Sequence, residues 1–256
     1  MNSIYGKLAP IYDEVMHDVD YEEWADFIDL VIQYHRQDTI SILELACGTG
    51  SLSLLLDELD CYEITASDAS ADMIKVAGMK GKEAHADVTW RQIDFLNINL
   101  DEKYDAILIL FDSINYLTEQ QQIEELFRQV RKVIKPNGIF IFDFTTPVYS
   151  QIVVNLLNED RVTSNGYRYI RESSYNAQRR LHENHFTIQK LNQENSQVVS
   201  ESEETHIQKI YTLREIQDIV SRSKFSILNA YQDFEMIAAG DKSGRVTMVL
   251  KCQETR

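Results

Sequence analysis

The sequence predicts an α/β fold: a mainly parallel sheet wound by helices on both faces, with an antiparallel β insertion late in the chain. Three observations predict it. Short apolar runs alternate with helical patterns up to residue 146. Three polar, moderately alternating segments then break that rhythm. A helix signal and two further strand-like runs follow them. At 256 residues the chain suits one domain with an elaboration, divided as 1–146, 147–211 and 212–256. A chain of this size can bury roughly 70–75% of its unfolded surface and needs no metal or disulfide staple.

Each element has its own signal. Residues 19–34 place Trp24, Phe27, Ile28 and Val31 at i, i+3, i+4 and i+7, the spacing of an amphipathic helix. SILEL is a short apolar strand, followed by the loop ACGTG and a leucine-rich helix from about 50 to 59. YEITAS is a second strand ending at Asp68, and Ser70 is placed to cap a helix through Met73 and Val76. The continuous apolar run YDAILIL predicts a buried strand. Thr118 with Gln121 forms a capping box before a helix whose Ile123, Leu126, Phe127, Val130 and Ile134 share a face. KPNG turns the chain into the strand IFIFDF. Segments near 165–174, 179–191 and 199–211 predict antiparallel strands with one wet face. Thr212 and Glu215 form a capping box for a helix to about 222, and strands around 225–233 and 245–251 close the sheet.

Composition narrows the function. Lys plus Arg number 25 against 41 Asp plus Glu, a formal charge of −16, which argues against a nucleic-acid partner because a polyanion would be repelled. Cys47, Cys61 and Cys252 are widely spaced with no C-x-x-C pair, so neither a disulfide framework nor a metal site is expected. The N-terminal stretch has no apolar signal core and no run reaches ~18 apolar residues. A cytoplasmic protein with no membrane segment is the expectation.

The loop in ILELACGTGSLSLLL carries the chemistry. A dinucleotide fingerprint needs glycines at the first, third and sixth positions of its turn, where this chain has Ala46, Gly48 and Ser51. The Lys-Ser/Thr pair of a phosphate loop is also missing. A ligand without phosphates fits better. Glu44 would put a carboxylate near the mouth of the turn, which suits a cationic group. Small residues at 46, 48 and 50 allow backbone to approach the ligand closely.

E-L-A-C-G-T-G resembles the first motif of the class I S-adenosylmethionine-dependent methyltransferases, and the resemblance extends over nearly the whole chain. It implies a Rossmann-like, seven-stranded sheet and S-adenosyl-L-methionine as cofactor, bound by residues 1–146. Asp68 matches the acid that holds both ribose hydroxyls. QIDF matches the segment flanking the adenine, giving Asp94 and Phe95, with Ala69 and Met73 on the same side. LFDSINYL matches the motif bordering the methionine moiety, with Phe111 contributing backbone and Asp112, Ser113 and Asn115 as polar candidates at the methyl-transfer mouth. The stretch YDEVMHDVDYEEW resembles a cap folded over the cofactor, carrying Tyr12 and Tyr21 inward. Ala46 stands where the family's first glycine stands, a variant expected to be tolerated if its φ is negative.

LHENHFTIQK and EETHIQKIY resemble strands of the sugar N,N-dimethyltransferases that act on nucleotide-linked amino sugars, each with a histidine, His185 and His206. Residues 147–211, with Tyr167, Tyr169 and Arg171, are expected on the substrate side. The other histidines, His17, His35, His85 and His182, are expected to face solvent. The implied reaction is methyl transfer to a small-molecule acceptor, an amine first, with Tyr12, Tyr116 and His185 as catalytic candidates. RNA or protein methylation by the same fold and a non-catalytic cofactor-binding module are the alternatives. No asparagine–proline–proline–aromatic stretch is present, which argues against a DNA base. The polar strand edge leaves room for a homodimer.

Overall fold

The computed structural model describes residues 5–192 and 194–253. A 3-10 turn at Ala9–Ile11 runs into the single turn α1 (Tyr12–Val15), and α2 (Tyr21–His35) starts where Asp20 accepts the Glu23 amide at 2.9 Å. Strands and helices then alternate: β1 (Ser41–Leu45), α3 (Ser51–Asp57), β2 (Glu63–Asp68), α4 (Ala71–Ala84), β3 (Val88–Gln92), β4 (Tyr104–Ile109), α5 (Gln120–Val133) and β5 (Ile134–Thr145). After α6 (Pro147–Val153) come β6 (Glu159–Val162), β7 (Tyr167–Asn176), β8 (Leu181–Leu191) and β9 (Val198–Lys209). The chain ends through α7 (Leu213–Ser221), β10 (Phe225–Gln232) and β11 (Arg245–Cys252).

The large sheet has seven strands in the order β10-β11-β5-β4-β1-β2-β3. β3, β2, β1, β4 and β5 run parallel, while β11 is antiparallel to β5 and β10 to β11. From β1 the chain crosses to β2 on one side and later returns to β4 on the other. Such a reversal opens a crevice at the carboxyl ends of the strands. The period-2 alternation of β1 sends Leu43 and Leu45 into the apolar layer under α5 and α7, and Ile42 into the layer under α2 and α3.

β6 to β9 form a separate antiparallel sheet. One face of β8 buries His182, Asn184, Phe186 and Ile188, while Glu183 and His185 lie on the other. The inner face packs Tyr169, Phe186 and Ile188 against Leu8, Ile11 and Val15 of the N-terminal segment. That segment is therefore held between the two sheets.

Several local expectations are corrected. The segment from 147 begins with a helix, α6, and carries a fourth, short edge strand, β6; both are too polar or too brief to show a period. β3 has a mixed burial pattern and was not expected as a strand. The start of α5 is one residue later than expected: Gln122 Oε1, not Gln121, accepts the amide of Glu119. Ser70 and Thr212 cap as expected, accepting from Met73 and Glu215 at 3.3 Å each.

Ala46 is also corrected, since its φ is +58°. The left-handed region costs an L-residue roughly 1–2 kcal/mol, of which the extra unfolded-state entropy of glycine returns about 0.5–1. Ala46→Gly should accordingly stabilise the protein by up to about 1 kcal/mol. For a chain this long that is a rise of about 2–4 °C in unfolding temperature, read by calorimetry. A lower melting point would contradict the left-handed turn.

Candidate functional site

The turn after β1 is built from three left-handed residues, Ala46, Gly48 and Gly50. Gly50 caps α3, and a Cβ there would lie 2.5 Å from the Trp90 ring, so no other residue fits without moving the indole. Gly48 would tolerate a Cβ sterically, at 3.6 Å from Tyr12, but its φ of +56° favours glycine. The amides of Gly48 and Ser70 donate to the two carboxylate oxygens of Asp68 at 3.0 and 2.8 Å. The acid at the end of β2 thus pins the turn after β1. Burial raises its carboxyl above the ordinary range, opposed by those amides.

Ala69, Asp94 and Phe95 collect next to it. Gln92 Nε2 donates to the Ala69 carbonyl at 3.0 Å, and the Ile93 amide to the Asp68 carbonyl at 3.0 Å. Asp94 is exposed and caps its own turn through the Leu96 amide, Phe95 is half-buried, and Met73 is buried beneath. Glu44 departs from its expected place. It is 1% exposed on the α2–α3 face of the sheet, bonded to the Ser53 hydroxyl rather than open at the mouth. Burial pushes its carboxyl up to about 7, against the pull of Ser53.

The N-terminal segment covers this turn. Asp13 takes a hydrogen bond from Thr49 and a salt bridge from Lys80 at 2.8 Å, and Lys80 also reaches Ser51 at 2.7 Å. On the other side Glu14 accepts from the amide and hydroxyl of Ser164, tying the segment to the second sheet. Burial holds the phenols of Tyr12 and Tyr21 well above their ordinary range.

Between the loop after β4, the N-terminal segment and the second sheet lies a cavity of about 470 Å³, within the size range of small-molecule sites; Ala46, Gly48, Gly50, Asp68, Asp94 and Phe95 do not line it. Tyr12, Phe111, Asp112 and Tyr116 line it. Phe111 and Asp112 follow β4 with φ of +56° and +50°, a strained pair of the kind that clusters at functional loops. Phe111 stacks on Trp24 and Tyr21 at 4.4 and 5.2 Å. Asp112 is fixed by Arg245 at 2.8 Å and by Gln208 Nε2 at 2.5 Å, and its amide donates to Asp143. Arg245 also bridges to Asp143 and lies 5.4 Å from the Trp24 ring centre. Burial alone would deprotonate Arg245 more easily, but the two carboxylates reverse the sign and raise its pKa. Burial pushes Asp143 up to about 6 against the attraction of Arg245.

His185 is corrected: it sits on the outer face of β8, bonded to Thr205 at 3.0 Å, and does not line the cavity. His206 and His182 do, each from a buried position, so His182 does not face solvent as expected. His35 is half-buried, with Nε2 2.9 Å from the Tyr231 hydroxyl. Asn115 is fully buried and spends its amide on Thr145 and Lys209 backbone, joining the two sheets rather than standing at a mouth. Ser113 bonds the Leu110 carbonyl at 2.7 Å. Sequence reasoning did not find Arg245, Asp143, Gln208 or Tyr5. A lone arginine opening a late strand has no local signal, and only β5–β11 pairing brings it near Asp143. Among the described residues no helix is long and apolar enough to cross a membrane, and no acid, histidine and cysteine cluster could hold a metal.

A family model described as a methyltransferase domain matches residues 42–138, from β1 to the start of the IFIFDF strand. The chain is 30% identical over 191 residues to a demethylmenaquinone methyltransferase of Thermus thermophilus, covering 66% of this chain and 82% of that one. The chain belongs to the class I S-adenosylmethionine-dependent methyltransferases. It is also 26% identical over 141 residues to a dTDP-3-amino-3,6-dideoxy-alpha-D-glucopyranose N,N-dimethyltransferase of Streptomyces fradiae, covering 54% of this chain and 53% of that one. An S-adenosylmethionine-dependent methyltransferase from Clostridium acetobutylicum has the same fold, with a TM-score of 0.79 at 25% identity over 98% of this chain and 100% of that one.

The cofactor of this methyltransferase has no phosphate, and the site agrees. Lys80, the cation beside the turn, is already committed to Asp13 and Ser51, and an acid rather than a base ends β2. Glu44 gives a pH test of the site without any ligand. Its folded pKa of about 7 lies above its ordinary 4.5, so its contribution is fully present below pH 4.5 and is lost as pH rises to 7. The loss is on the order of 3 kcal/mol. Glu44→Gln keeps a partner for Ser53 and removes the charge. Urea unfolding at pH 5 and pH 8 should show the variant gaining on the parent at the higher pH; parallel profiles would mean that Glu44 is ionised throughout.

Proposed function

We propose that this methyltransferase transfers the methyl group to a small-molecule amine bound in the cavity between the two sheets. The observation that carries the reading is the cavity's wall. Tyr5, Tyr12, Trp24, Phe111 and Tyr116 line it, and the carboxylates of Asp18, Asp20, Glu23 and Asp233 stand around it. Aromatic faces stabilise a cation by about 0.5–2 kcal/mol, and carboxylates favour one further. Two arginines also line it: the charge of Arg245 is opposed by Asp112 and Asp143, and Arg171 is turned onto the Phe186 ring and Asn184. The Streptomyces relative is named for methylating an amino sugar, which agrees with an amine. A cavity this size, in a chain of charge −16, is unsuited to RNA.

In this reading Asp68 holds the ribose hydroxyls, Asp94, Phe95, Ala69 and Met73 flank the adenine, and the backbone of Ala46–Gly50 takes the middle of the cofactor. Tyr21, Phe111 and Asp112 surround its amino-acid end. The cofactor supplies a methyl carbon activated by a positive sulfur. The protein holds the acceptor close and in line, which can contribute on the order of 7–11 kcal/mol of the barrier. Residues 147–211 form the acceptor side, and the N-terminal segment closes over both.

Two measurements test the cofactor half. Calorimetry should show S-adenosylmethionine and S-adenosylhomocysteine binding but no NAD binding, and Asp68→Ala should weaken affinity by about 1.5–3 kcal/mol. Unchanged affinity would remove Asp68 from the ribose. Amide exchange of residues 5–20 should slow on cofactor binding; equal exchange would make the segment a fixed part of the wall. For the acceptor, S-adenosylhomocysteine release should be stimulated by small primary or secondary amines, and stimulation only by RNA or protein would overturn the reading.

A further inference from the structure

A chain of polar contacts runs from the cavity into the second sheet. The hydroxyls of Tyr5 and Tyr116 are 2.5 Å apart, and the Tyr116 hydroxyl is 3.1 Å from Nδ1 of His206. On the far side of that ring, a Glu204 carboxylate oxygen lies 3.3 Å from Nε2. The same carboxylate accepts the backbone amides of Tyr5, at 3.0 Å, and Lys7. Tyr5, Tyr116 and His206 all line the cavity, and His206 is 2% exposed.

We propose that Tyr116, His206 and Glu204 form a proton relay that receives the proton the methyl acceptor must lose. It rests on the acceptor occupying the cavity. A neutral histidine that accepts from a tyrosine at Nδ1 must carry its proton on Nε2. That is the nitrogen facing Glu204. A base within reach of a hydroxyl, with a carboxylate 3.3 Å behind it as counter-charge, is a general arrangement for taking up a proton; in the resting geometry Nε2 itself makes no hydrogen bond. Burial holds Tyr116 well above the ordinary phenol range, so it stays neutral and passes one proton on as it receives another. Burial would raise Glu204, but His206 and the two backbone amides hold it below its ordinary value, ready as a counter-charge. The other groups around the ring are Tyr5, stacked at 4.5 Å, Phe186 at 5.5 Å, Arg171 beyond Phe186, and Asp112 near Tyr116. Arg171 opposes an imidazolium and Asp112 favours it.

The acceptor's lone pair forms the new bond to the methyl carbon, the sulfur–carbon bond breaks with its pair left on sulfur, and the acceptor becomes cationic. Its proton moves to the Tyr116 oxygen as the Tyr116 proton moves to Nδ1 of His206. The imidazolium then faces Glu204 until solvent takes the proton. Because Glu204 is held by the Tyr5 and Lys7 amides, docking of the N-terminal segment assembles the relay and its lifting exposes it. Tyr116 touches the acceptor; His206 and Glu204 act through it.

Nitrogen-15 NMR of the histidine rings in the full chain saturated with S-adenosylhomocysteine tests the arrangement without an acceptor, with His206→Gln giving the assignment. Neutral His206 should carry its proton on Nε2, and Glu204→Gln should release that preference so that the Nδ1 tautomer appears. A proton on Nδ1 in the neutral ring, or a tautomer unmoved by Glu204→Gln, would overturn the relay. With an amine that stimulates S-adenosylhomocysteine release, turnover should rise with pH along a single ionisation. His206→Gln should lose that limb and about 10²-fold in turnover, with the S-adenosylmethionine dissociation constant unchanged. A pH limb retained in His206→Gln would sink the relay while leaving the amine reading intact. If no amine is methylated, the amine reading fails and the ring tautomer alone decides the relay.

Discussion

The contact on which the site depends is the apolar wedge of Leu8, Ile11 and Val15 against Tyr169, Phe186 and Ile188. Six buried side chains of this size contribute roughly 1.5–3 kcal/mol each when removed from water, which is enough to hold a segment otherwise made of single turns. The wedge puts Tyr12 over the glycine turn, brings Tyr5 to Tyr116, and closes the cavity between the two sheets. Without it the four-stranded sheet would keep its hydrogen bonds, but its inner face would meet water. Docking surface, cavity wall and candidate lid are thus one set of residues.

The second constraint is electrostatic. Arg245, Asp112 and Asp143 are packed together at the end of β4, β5 and β11, and each is satisfied by at least one of the others. Breaking one member of such a buried group typically costs about 3–5 kcal/mol because a charge is left uncompensated. What the cluster secures is geometry: Asp112 sits in a left-handed conformation that no favourable local energy would choose, and its amide and carboxylate are both held. The turn after β1 follows the same logic, with Asp68 accepting from both Gly48 and Ser70. Backbone strain at both strand ends is balanced by hydrogen bonds from neighbouring strands.

These two constraints divide the labour within the crevice. The parallel core offers a turn and an acid at the carboxyl ends of β1 and β2. The second sheet adds side chains, among them Arg171, His182, Asn184, Phe186, His206 and Gln208, projecting from strands outside the parallel sheet. The acceptor side can therefore change by substitution on one sheet face while the cofactor side keeps its backbone geometry.

The parallel core was legible in the sequence because its signals are local. Apolar runs, caps at Ser70 and Thr212, and the E-L-A-C-G-T-G turn each depend on residues a few positions apart. Asp68 and the glycine turn could be paired from the motif alone. Elements with weak periodicity, α6, β3 and β6, were not, because a short strand with mixed burial carries no alternation to detect. The histidines show the limit most clearly. Alternation in LHENHFTIQK says that residues 182 and 185 face opposite ways, but which face is inward depends on where the second sheet docks. Only the packed structure turns His182 and His206 inward and His185 outward. Arg245 meets Asp143 across 102 residues of chain, and Tyr5 meets Tyr116 across 111. Such distant pairs have no sequence period, since they exist only once strand order and the docked N-terminal segment bring the side chains into contact.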